Sequence, residues 1–129
     1  MKRSEAINKA VTEVYETLGI TRSKSRAKFH VQARAAIGVA LTPYCTTYEI
    51  GDAIERDRST SCYYTGKHFD NMKHWIGYDE IYKVVKETID DILQDYFLRS
   101  QVDSIDSRIA TLKLTKKRLL RKLERERVI

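Results

Sequence analysis

Groups able to do covalent or metal chemistry are scattered along this chain of 129 residues. Cys45 and Cys62 do not make a disulfide framework, and no Cys or His pair has zinc spacing, His68 and His74 standing apart and alone. Neither a Gly-x-x-x-x-Gly-Lys-Ser/Thr loop nor a nucleophile elbow occurs, and Gly66-Lys67 falls inside a helical pattern. No enzyme, metal, cofactor or small-molecule substrate is expected. What does cluster is cations with hydroxyls. Arg56, Arg58, Ser59 and Thr60 stand together and are followed by Tyr63, Tyr64, Lys67 and His68. Residues 21–28 carry Arg22, Lys24, Arg26 and Lys28 among small polar side chains. Guanidinium, ammonium and hydroxyl donors at this density suit phosphate oxygens. The paired tyrosines suit either an exposed contact or packing over a core.

The charge distribution sharpens this. The net charge is +6 and the pI about 9.3, which points to a polyanionic partner. By segment it runs +5 over 1–34, −1 over 35–78, −5 over 79–106 and +7 over 107–129. A basic arm and a basic tail therefore flank an acidic stretch. No run reaches the roughly 18 apolar residues that span a bilayer. The start, Met1-Lys2-Arg3-Ser4-Glu5, lacks the apolar core of a secretory signal, so no membrane association and a cytoplasmic location are expected.

The elements that must position these groups read as helices. Ser4 is placed to cap a first one with Ile7, Val11, Val14, Tyr15 and Leu18 inward, and Gly19 to end it. An Ala-rich helix over about 30–41 stops at Thr42-Pro43. Thr46 with Glu49 forms a capping box opening a short helix over 47–54, in which Tyr48, Ile50, Ala53 and Ile54 would pack. Glu55-Arg56-Asp57-Arg58 cannot be buried together and marks a turn. Ser59 then caps a helix over about 60–75, with Cys62, Gly66, Phe69 and either Met72 or Lys73 inward by the i, i+4, i+7 rule. A fifth helix starts at Asp79 and carries Ile81, Val84, Val85, Ile89, Ile92, Leu93, Tyr96 and Phe97. From Val102 the spacing becomes heptad, through Ile105, Ile109, Leu112, Lys116, Leu119 and Leu123. That seam leaves two options open, a coiled-coil homodimer and a helix folded back on its own domain. The fold class expected is all-α: a helix-turn-helix bundle of about five helices over 1–98 with a basic helical extension over 99–129.

A short helix, a charged turn and a helix opened by hydroxyls form a helix-turn-helix arrangement, in which the second helix enters the major groove by its N-terminal end. Here the residues resemble a family. Ile50-Gly51-Asp52-Ala53-Ile54 and Glu55-Arg56-Asp57-Arg58-Ser59-Thr60-Ser61 are similar to the signature of the C-terminal DNA-binding domain of the bacterial replication initiator DnaA, of the tryptophan-repressor-like class. Ile7-Asn8-Lys9-Ala10-Val11 and Ala33-Arg34-Ala35-Ala36-Ile37 extend the likeness over roughly residues 5–98.

The resemblance implies binding of double-stranded DNA by a transcriptional regulator or replication-associated factor of bacterial or bacteriophage origin. It also implies an arginine reaching the minor groove before the second long helix, Arg34 being the nearest match and Arg26 and Lys28 the alternatives. Glu55 stands where the family has a turn glycine. The family's histidine aligns with Arg58 by the Arg-Asp pair or with Ser59 by the hydrophobic pattern. The latter is favoured, since it buries Cys62 and Phe69 rather than Ser61 and His68. The rival reading is a non-catalytic adaptor that uses the same fold and its C-terminal helix for protein contacts.

Overall fold

The computed structural model describes residues 2–23 and 25–128, of Val128 the backbone alone. They form five helices: α1 (Arg3–Leu18), α2 (Lys28–Ala40), α3 (Thr47–Ile54), α4 (Arg58–His74) and α5 (Tyr78–Val128). Among the described residues there is no strand, so the fold class is all-α. Residues 1–95 make one compact unit and residues 96–129 a second, α5 contributing to both.

In the first unit α2 is the central element. Every residue from Gln32 to Gly38 is buried, so alanines on all sides let neighbouring helices approach closely. Val11 and Val14 of α1, Ile50 and Ile54 of α3 and the stripe Ile81, Val85, Ile89 and Leu93 of α5 complete the core. That stripe steps by four, as a helix packed along one face requires, while Val84 and Ile92 beside it are half-buried.

Chain punctuation follows local chemistry. Gly19 takes φ 70° and closes α1, its N–H donating to the Glu16 carbonyl at 3.1 Å. Thr46 and Glu49 make the capping box, with Glu49 N–H to Thr46 Oγ1 at 3.2 Å and Thr46 N–H to Glu49 Oε1 at 2.9 Å. Helix starts move upstream of expectation. α1 begins at Arg3, so Ser4 lies in its first turn, where the Glu5 carboxylate accepts the Lys2 N–H at 3.4 Å. α2 begins at Lys28 rather than near His30.

The Glu49 carboxylate also joins α3 to α1. Arg3 donates to it through Nε at 2.7 Å and Nη2 at 3.0 Å, and to the Tyr44 carbonyl at 2.7 Å. The Arg3 hydrogen bond, followed by the Thr46 N–H, holds the Glu49 pKa at about 2 against an ordinary 4.5. A depressed carboxylate pKa adds stability that is present above the unfolded value and lost as pH falls through the folded one. Glu49→Gln should therefore cost about 1 kcal/mol at pH 7, small because both side chains are partly solvated. Urea unfolding should show the deficit shrinking between pH 5 and pH 2. A deficit that stays constant over that range would contradict the assignment.

Candidate nucleic-acid interface

α3 and α4 pack on one another across residues 55–57, so the helix-turn-helix arrangement is present. Its turn is closed by two backbone bonds, Arg56 N–H to the Gly51 carbonyl at 2.9 Å and Glu55 N–H to the Asp52 carbonyl at 3.3 Å. Glu55 sits in the left-handed region at φ 58°, the conformation that a glycine adopts without strain.

The start of α4 corrects the expectation. Asp57, not Ser59, is the N-cap: its carboxylate accepts the Thr60 N–H at 3.1 Å and the Ser59 and Thr60 hydroxyls. These bonds to the carboxylate hold its pKa below the usual range. The helix starts at Arg58, and its inward face is Ser61, Tyr64, His68 and Asn71. Ser61 is 1% and Tyr64 8% exposed, whereas Cys62 is exposed and Phe69 is 81% exposed. The alignment by the Arg-Asp pair therefore describes the packing, and the one that buries Cys62 and Phe69 does not.

Of the residues singled out from sequence, some converge on an outward surface and others are inside. Arg58 stands at the exposed N-terminal end of α4, donating from Nη1 to the Tyr48 hydroxyl at 3.0 Å with its guanidinium 5.0 Å from that ring. Tyr48 itself is 65% exposed, not a packing residue of α3. Ser59, Tyr63 and Lys67 lie exposed along the outward side of α4. Thr60 and Arg56 are half-buried. Tyr64 packs inward. His68 turns the same way and is half-buried: its Nδ1 lies 2.9 Å from the Tyr78 hydroxyl and its ring 4.4 Å from that of Tyr82, and burial holds its pKa below the ordinary imidazole value.

The basic loop is tied down rather than free. Arg22 is half-buried, donating to Asn8 Oδ1 at 2.9 Å and to the Ala53 carbonyl at the end of α3. Arg34, expected to reach a groove, is 2% exposed and donates instead to the Ser23 carbonyl at 3.0 Å and the Ser25 carbonyl at 2.6 Å. Arg26 and Lys28 remain exposed, Lys28 beside Trp75 at the C-terminal end of α4. Lys24 lies outside the described residues.

Sequence reasoning missed four members of the outward face. Cys62, Gly66, Asp70 and Lys73 share it with Ser59 and Tyr63, and a Cβ at Gly66 would meet nothing within 4 Å. Hydrophobic periodicity gave no signal for them, because the inward positions of α4 are held by Ser61, Tyr64, His68 and Asn71, most of them polar. Among the described residues no cluster of three or more metal-binding side chains occurs, and no helix is long and apolar enough to cross a membrane. No family model matches the chain, and neither the curated proteins nor the solved structures yield a match.

Proposed function

We propose that the chain binds double-stranded DNA through the outward face of α4, as a regulator or replication-associated factor of the DnaA-like helix-turn-helix kind. The observation that carries this reading is the exposed run Arg58, Ser59, Tyr63, Lys67 and Lys73 on the second helix of a short-turn helix pair. A helix so mounted offers its N-terminal side chains to base edges and its flanking cations to phosphates. Arg26 and Lys28, with a segment charge of +5 over residues 1–34, supply further phosphate contacts. Arg34 acts from inside, as an anchor of the loop.

One observation favours a second reading, a non-catalytic adaptor. Phe69 and Ile76 are 81% and 83% exposed, and Asp70 shares the outward face, a mixture suited to a protein surface.

Titration of duplex DNA at several salt concentrations separates the two. About four to six phosphate contacts should give a log–log salt slope of similar size. Lys28→Ala and Lys67→Ala should each weaken all sequences alike and lower the slope by about one. Tyr63→Ala should relax base preference and cost about 1 to 3 kcal/mol on the preferred site. Binding that is unselective and unchanged in all three variants would favour the adaptor.

A further inference from the structure

The second unit carries an exposed apolar seam. Leu98, Val102, Ile105, Ile109, Leu112, Lys116, Leu119 and Leu123 alternate by four and three along α5, and the apolar members are 45 to 67% exposed. The side of the same stretch away from the seam carries Lys117, Arg118, Arg121 and Arg125 around Leu114. We propose that residues 98–123 pair with the same segment of a second copy, running in opposite directions. This goes beyond the DNA-binding reading and does not rest on it.

The heptad spacing calls for a helical partner, and charge selects both partner and direction. In a parallel in-register pair every position meets itself, so Lys116 faces Lys116 inside the seam. The flanking contacts then set Arg108 against Lys113 and Lys122 against Arg127, four like-charge contacts over the two-fold pair. Running oppositely about a centre between Ala110 and Thr111, Leu98 meets Leu123 of the second copy, Val102 meets Leu119, Ile105 meets Lys116 and Ile109 meets Leu112. Three of these four layers are wholly apolar, and the fourth lets the Lys116 stem pack while its ammonium reaches solvent. The flanks now pair Asp106 with Lys113, twice by symmetry, along with Gln101 by Lys122 and Arg108 by Thr115.

Like charges no longer meet. The half over 113–127, eight cations against Glu124 and Glu126, lies beside the half over 96–112, in which Arg99 and Arg108 balance Asp103 and Asp106. The surface is self-complementary, as a closed two-fold dimer requires. Lys117, Arg118, Arg121 and Arg125 stay outside it.

Sedimentation equilibrium of the full chain without DNA tests this. A dimer is expected at tens of micromolar, and Ile109→Asp should leave a monomer of unchanged helicity, since the side chain is solvated in the single chain. Lys113→Asp and Asp106→Lys should each weaken the dimer on the order of three- to tenfold by opposing like charges twice, and the double exchange should restore it. A parallel pair would instead tighten on Lys113→Asp, because Arg108 would then gain a carboxylate. That result overturns the proposal, as does a full chain that stays monomeric at 100 micromolar, a concentration set on the order of weak specific association.

Discussion

Gly51→Ala is expected to destabilise the first unit by about 3 kcal/mol, the upper range for forcing one extra carbon into a packed site. A Cβ at this position would lie 2.7 Å from the Arg56 carbonyl oxygen, 3.2 Å from the Asp57 carbonyl carbon and 3.3 Å from the Arg58 nitrogen. All three are backbone atoms, so no side chain can swing aside. The turn itself would have to move, and it is held by the Arg56 N–H to the Gly51 carbonyl and by the Asp57 cap on Thr60. Loss of the α3–α4 geometry should accompany the loss of stability. Gly66→Ala makes the control. It lies in mid-helix, where a Cβ meets nothing, so alanine should stabilise by about 0.5 to 1 kcal/mol through helix propensity. Urea unfolding of the two variants should move in opposite directions. Equal midpoints would show that the turn does not press on Gly51.

That contrast explains which parts of the fold could be read from sequence. Features decided within one turn of helix were legible: the Thr46–Glu49 box, the stop at Gly19 and the i, i+4 stripe of α5 each depend on neighbours in the chain. The phase of α4 was not. Its buried face is Ser61, Tyr64, His68 and Asn71 and its exposed face includes Cys62 and Phe69, so hydrophobic periodicity points the wrong way. The phase is set by packing against α2 and α3, with Tyr64 lying beside Gly38, whereas the start is set by the cap, for which Asp57 and Ser59 stand two positions apart. Asp57 wins because its carboxylate reaches the Thr60 N–H and both following hydroxyls at once. The site inherits the consequence: Ser59, Tyr63 and Lys67 remain outward, whereas Tyr64 and His68 become part of the packing.

Arg34 was illegible for a different reason. A cation in an alanine run reads as a solvated or groove-facing side chain, yet it lies inside because carbonyls from a distant loop meet it there. Its Nη1 and Nη2 satisfy the Ser23 and Ser25 carbonyls, while Nε has no partner among the described residues. Removing the side chain leaves two acceptors short and a cavity beside the central helix. Hydrogen bonds to a charged donor contribute about 1.5 to 3 kcal/mol each, so Arg34→Ala should cost on the order of 3 kcal/mol after relaxation of the loop. Arg34→Lys should recover less than half, since one ammonium on a shorter stem cannot span both carbonyls with a planar fork. The loop gives a second readout: with its anchor gone, trypsin should cut at Arg22 and Arg26 faster under conditions where α1 and α2 stay folded. A groove-contacting Arg34 predicts the reverse pattern, normal stability and normal protease resistance with weakened DNA binding. Measuring unfolding and tryptic rate on the same variant therefore decides between an arginine that reads DNA and one that holds the loop carrying Arg26 in place.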